Sequence, residues 1–144
     1  MSNEHNEWMP LNLSGKTAVV CGSTQGIGWA AASPLAGLGA RIVLLARNEQ
    51  RLKEAHAKLP GNIDHGFAVA DFSKPSNVQE AIKRIVEKEP IHILVNNTGG
   101  PAGGPIVDAE IDAFRNTFEQ HLVCNQILAQ AVLPGMKSAG YGRI

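Results

Sequence analysis

Apolar and polar positions alternate between two patterns along this chain. Short, nearly unbroken apolar runs occupy Thr17–Cys21, Arg41–Ala46, Phe67–Ala70 and Ile91–Asn96. They are rich in Val, Ile, Leu and Ala. Parallel strands covered on both faces read this way, whereas half-exposed strands alternate. Between the runs the spacing becomes helical. Val78, Ala81, Ile82, Ile85 and Val86 share one face, with Glu80, Lys83, Arg84, Glu87 and Lys88 mostly on the other. Pro75 suits the first turn of that helix and Pro90 lies beyond its end. Asn48 can cap a helix carrying Leu52, Ala55 and Leu59. A longer helix is predicted from about Asp108 to Leu133, stopped by Pro134-Gly135. Its stripe is Ile111, Phe114, Phe118, His121, Leu122, Asn125, Leu128 and Val132.

The order β-α-β-α-β-α-β-α predicts an α/β fold, a doubly wound parallel sheet of the Rossmann type with right-handed crossovers. It reads as incomplete on its C-terminal side. Residues 1–14 read as an irregular lead-in and 15–144 as one nucleotide-binding domain. Ligands of such sheets bind beyond the carboxyl ends of the strands, where strand order reverses. The candidate residues are therefore those that follow strands.

After the first run comes Gly22-Ser23-Thr24-Gln25-Gly26-Ile27-Gly28. Gly22 permits a tight turn, Gly26 lets the backbone approach a diphosphate, and Gly28 lets a helix pack closely on the sheet. The helix N-terminus adds free N–H groups and partial positive charge. Ser23 and Thr24 offer hydroxyl donors. A plain strand-to-helix connection is the competing reading of the glycines.

Arg47 follows the second run, where a dinucleotide fold meets the adenosine ribose. An acid there would bind the 2′-hydroxyl and repel a 2′-phosphate. Ala46-Arg47-Asn48 contains none, and a guanidinium suits the phosphate. This favours NADP(H) over NAD(H); a solvated strand-end arginine is the alternative. Asp71, beside Phe72, follows the third run and can accept from an adenine amino group, or else cap a helix. Asn96-Asn97-Thr98-Gly99 follows the fourth. Its amides can tie strand ends together and Gly99 leaves room for a ribose, although Asn and Gly are also common in turns.

The 13 basic and 13 acidic residues balance, so no global field draws the chain to nucleic acid or an anionic membrane. Cys21 and Cys124 form neither a CxxC pair nor a metal-ligand spacing, and the polar N-terminus is unlike a presequence. A reducing, cytoplasmic setting is expected. The uncharged stretch from Thr17 to Ala40 is long enough for a bilayer, but its glycines, Ser, Thr, Gln and Pro fit a buried strand-turn-helix better.

Together, GxxxGxG after strand one, Asp71 after strand three and NNTG after strand four resemble the short-chain dehydrogenase/reductase family. Ala131-Val132-Leu133-Pro134 and Gly140-Tyr141-Gly142-Arg143-Ile144 are similar to that family's long helix and the start of its fifth strand. The resemblance runs from about Leu13 to Ile144 and is strongest to the 3-oxoacyl-carrier-protein reductase type. It implies that Gly22, Ser23, Thr24, Gln25, Gly26, Ile27, Gly28, Arg47, Asp71, Phe72, Asn97, Thr98 and Gly99 surround NADP(H). It also implies hydride transfer to or from a carbonyl or alcohol carbon. A small-molecule carbonyl or acyl-thioester substrate and a homo-oligomeric full-length form follow from the same resemblance.

The family's catalytic serine, tyrosine and lysine would lie beyond the fifth strand, which begins as this chain ends. Tyr141, the single tyrosine, precedes that strand and is assigned no catalytic role. Cys21 stands where threonine is usual. Pro34 falls inside the first helix and is expected to cost about 3 kcal/mol unless the helix kinks. His121 occupies the place of an asparagine that holds a proton-relay water; a core histidine is the alternative, and Asn125 lies one turn on. Besides the cofactor-binding part of a reductase, two readings stay open: a nucleotide-binding module or pseudoenzyme without turnover, and a non-functional truncation. The truncation reading expects a poorly covered fourth strand and a long helix without a packing partner.

Overall fold

A computed structural model describes residues 11–144; most of the proposed lead-in, residues 1–10, lies outside them. Four parallel strands form one sheet in the order β3-β2-β1-β4: β1 (Thr17–Cys21), β2 (Arg41–Ala46), β3 (Gly66–Val69) and β4 (Ile93–Val95). Register places Val19 beside Val43 on one side and Leu94 on the other. Helices α1 (Gly26–Gly37), α2 (Glu49–His56) and α3 (Pro75–Val86) form the crossovers. A 3-10 turn (Ile106–Asp108), α4 (Ile111–Phe118), a π-turn (Glu119–Val123) and α5 (Cys124–Ser138) complete the order.

Alternation inside the continuous apolar runs divides the core in two. Val19, Cys21, Val43, Leu45 and Leu94 face α3 and α5, meeting Val78, Ile82, Leu128 and Val132. Ala18, Val20, Ile42, Leu44 and Ile93 face α1 and α2, meeting Ala32, Ala36 and Leu52. Each strand residue thus has an apolar neighbour on its own face, which is why these strands show no polar alternation. Helix α1 turns Gly28, Ala32 and Ala36 inward at a spacing of four, so small side chains bring its backbone close to the sheet. Asn48 caps α2 as expected, its Oδ1 accepting the Arg51 amide at 2.9 Å.

Several expectations need correction. β3 begins one residue earlier than Phe67, and β4 is shorter than its apolar run. Ile91 and His92 are buried but precede the ladder residues of β4. The long helix neither begins at Asp108 nor stops at Leu133; it passes through Pro134 to Ser138. Pro134 and Pro34 both lie inside helices on exposed faces. The carbonyls they leave unpaired belong to Gln130 and Ala30, also exposed, where water can serve them and lessen the penalty.

The fourth strand is not poorly covered: Ile93 and Leu94 are buried. Its edge carries an isolated parallel bridge from Ile93 to Arg143, as the start of a fifth strand requires. The His92 carbonyl accepts from the Arg143 amide at 3.0 Å, and the Leu94 amide donates to the Arg143 carbonyl at 2.9 Å. Nor does the whole long helix lack a partner, because α5 packs on α3. The uncovered part is α4, where Ile111, Phe114 and Phe118 are all more than half exposed.

Candidate functional site

Strand order reverses between β1 and β4, and a crevice of about 440 Å³ opens at the carboxyl ends beside that point. Its floor is the β1–α1 loop. Gly22 has φ +56°, and a Cβ there would stand 2.5 Å from Asn97 Nδ2. A Cβ on Gly28 would run into the Gly22 carbonyl group, 2.6 Å from its carbon. Asn97 closes this knot: its Nδ2 donates to the Cys21 and Gly22 carbonyls, both at 3.3 Å. The last turn of β1 is thus fastened to the end of β4 by one amide. Gly26 also has positive φ, but nothing lies within 4 Å of the Cβ position there, so its backbone face is open.

Of the residues expected around a cofactor, ten line this crevice: Gly22, Thr24, Gln25, Gly26, Arg47, Asp71, Phe72, Asn97, Thr98 and Gly99. Three do not. Ile27 points to solvent at 79% exposure, Gly28 is buried beneath the turn, and Ser23 is fully buried. The Ser23 hydroxyl accepts the Leu45 amide at 3.1 Å, while Gly22 donates to the Leu45 carbonyl at 2.8 Å. Ser23 therefore splices the loop to β2, and its hydroxyl is not turned to the crevice as the glycine-rich context suggested.

Asp71 makes an Asx-turn: its Oδ1 accepts from the Ser73 amide at 3.0 Å and from the Ser73 hydroxyl at 2.8 Å. Those bonds, the hydroxyl first, hold its carboxyl below the usual range, with smaller help from Lys74 and Arg47. It does not cap α3, whose N-cap is Lys74. Both bonds fall on Oδ1, so Oδ2 keeps its acceptor capacity. Arg47 is exposed at the mouth of the crevice. Behind the loop, Cys21 is buried and its thiol is pushed up to about 12, chiefly by burial. It acts as a small apolar side chain under the turn.

His121 lies in the π-turn and is half-buried, but Gln120 is the residue of that turn that reaches the crevice. Arg51, Asn48 and Ser73 also line it, none of them expected among the ligand-facing residues. The only hint was the placing of Arg51 four residues beyond Arg47 on a helix capped by Asn48. Tyr141 stands at the other end of the sheet. It neighbours His92 at 6.3 Å between ring centres, with Lys16 Nζ 4.4 Å above its ring. Among the described residues no group of His, Cys, Asp or Glu could hold a metal ion, and no helix is long and apolar enough to cross a membrane.

The short chain dehydrogenase family profile matches residues 16–144. The chain belongs to that family. An inactive hydroxysteroid dehydrogenase-like protein 1 from Pongo abelii is 32% identical over 134 residues, covering 90% of this chain and 41% of that protein. An uncharacterized oxidoreductase from Staphylococcus epidermidis is 33% identical, covering 90% and 56%. Among solved structures, L-sorbose reductase from Gluconobacter frateurii, complexed with NADPH and L-sorbose, superposes with a TM-score of 0.83 at 33% identity. The match covers 93% of this chain and 52% of that one. The chain thus spans about half the length of the relatives it matches.

Proposed function

We propose that this chain is the cofactor-binding portion of an NADP(H)-dependent short-chain oxidoreductase acting on a small-molecule carbonyl or alcohol. The observation that carries the reading is Arg47, which stands at the end of β2 on the crevice wall, flanked by Ala46 and Asn48 with no acid. The crevice also fits a dinucleotide in other respects. The open backbone face at Gly26 admits a diphosphate, and Thr24 adds a hydroxyl beside it. Asp71 offers a free carboxylate oxygen toward an adenine amino group. Gly99 has nothing within 4 Å of its Cβ position, leaving space for a ribose. Asn97 holds the loop beneath in register.

The bound nicotinamide would supply hydride to, or take it from, the substrate carbon. The contribution of the described residues is to bind and orient. The NADPH-bound L-sorbose reductase and an NADP-bound putative gluconate 5-dehydrogenase from Beutenbergia cavernae, 28% identical with a TM-score of 0.85, support the cofactor class. A second reading, binding without turnover, draws on the likeness to the inactive hydroxysteroid dehydrogenase-like protein 1, 32% identical over 134 residues.

Calorimetric titration with NADPH and NADH tests the proposal. NADPH is expected to bind more tightly, and Arg47→Asp to weaken it by more than about tenfold, above ~1.4 kcal/mol, while sparing NADH. Equal losses for the two cofactors would remove the 2′-phosphate role. No saturable heat with either would remove the proposal, and binding with no change in nicotinamide absorbance across carbonyl substrates would favour the second reading.

A further inference from the structure

Two guanidinium groups stand on the same crevice. Arg47 follows β2 and Arg51 rides the first turn of α2, and both line the hollow that contains Asp71 and the glycine loop. Arg51 Nη1 donates to Gln25 Oε1 at 3.4 Å, a bond between residues 26 apart in sequence. Gln25 is the N-cap of α1, yet its side chain makes no capping bond. Its amide carbonyl reaches across to α2 instead, so it tethers the second guanidinium to the phosphate loop.

The acids nearby are committed elsewhere. Glu49 pairs with Lys53 at 2.8 Å, and Glu54 accepts from Gln50 at 3.0 Å. Among the described residues neither Arg47 nor Arg51 has a carboxylate in salt-bridge range. Arg47 is nonetheless near enough to Asp71 to help keep that carboxyl ionised. Its charge is therefore partly shared, while the charge of Arg51 is answered only by a neutral amide.

A phosphate monoester near neutral pH carries about −1.5 to −2 charge on three acceptor oxygens. One arginine carries a single positive charge and leaves part of the phosphate charge uncompensated. Two guanidinium forks supply both the charge and the planar donor pairs that phosphate oxygens accept. We propose that Arg51, positioned by Gln25, is the second arm of a clamp for the ribose 2′-phosphate. This deepens the reading above and rests on it.

The test uses the full chain and two small probes that differ only in that group, adenosine 2′,5′-bisphosphate and 5′-AMP, titrated calorimetrically. Arg51→Gln should weaken the bisphosphate about tenfold and leave 5′-AMP within about twofold. Arg51→Lys keeps the charge without the fork and should recover only part of the loss. Gln25→Leu should cost the bisphosphate selectively, by less than Arg51→Gln does, because the guanidinium remains but loses its tether. Unchanged bisphosphate affinity in Arg51→Gln, or equal losses for both probes, overturns the clamp. A wild-type chain that does not prefer the bisphosphate overturns the clamp and the NADP(H) reading together. A preference left undiminished in Arg51→Gln and lost in Arg47→Gln overturns the clamp alone.

Discussion

Acidification should loosen the end of the sheet opposite the crevice, and His92 is the reason. This side chain is 8% exposed, and its Nδ1 accepts the Thr17 amide at 3.0 Å. That bond requires a neutral ring with its proton on Nε2. The His92 amide in turn donates to the Thr17 carbonyl at 2.9 Å, so one residue holds the start of β1 through both its side chain and its backbone. Burial lowers the His92 pKa, nearby Lys16 adds to the lowering, and Glu89 opposes it. Protonation would set an N–H against the Thr17 N–H, losing one bond and stranding a buried donor, for about 1–3 kcal/mol. Because the folded pKa lies below the ordinary 6.5, the unfolded chain takes up the proton first. The stabilisation is complete above that value and drains away as pH falls beneath it. Urea unfolding from about pH 7.5 to about pH 5 measures the slope. His92→Asn places a non-titrating acceptor, Oδ1, near the Nδ1 position and should flatten the slope by up to one proton. Carboxylates and the other histidines contribute equally to both proteins, so the difference isolates His92. Parallel slopes for the two, or stability that rises on acidification, would refute the argument.

Two further outcomes follow from the β1–α1 loop. Ser23→Ala removes the side-chain acceptor that Ser23 Oγ offers the buried Leu45 amide and should cost about 0.5–1.5 kcal/mol in urea unfolding; no measurable change would show that the splice to β2 matters little. The Cys21 thiol, pushed up to about 12, should resist iodoacetamide in the native chain and react once denaturant opens the core. Rapid native labelling of Cys21 would contradict its burial.

The parts legible in the sequence are those where one physical demand dominates. β1 and β2 have the expected bounds because central strands must be apolar on both faces. β4 was overextended for an instructive reason. Ile91 and His92 are as buried as the strand, but His92 bonds to the start of β1 ahead of the ladder, so apolarity reported burial and not pairing. Arg47 could be placed because strand ends are fixed points of the fold. Arg51 could not, since its place depends on a long-range bond to Gln25. Ser23 shows the converse: a hydroxyl in a glycine-rich loop suggests a phosphate ligand, yet a buried Leu45 amide claims it first.

The long helix shows where periodicity itself fails. A single stripe drawn from Ile111 to Val132 assumes 3.6 residues per turn throughout. The π-turn at Glu119–Val123 inserts one residue, which rotates everything before it by about 100° relative to everything after it. The two halves therefore present different faces. After the turn, Leu128, Val132 and Met136 are buried against α3. Before and within it, Ile111, Phe114, Phe118 and Leu122 are 53–65% exposed. Within the turn, Gln120 reaches the crevice while His121, the residue the uniform stripe turned inward, is half-buried and does not line it. Helical spacing specifies that an apolar face exists; a change of helix type within it decides which residues share that face, and it leaves no mark on the hydrophobic pattern.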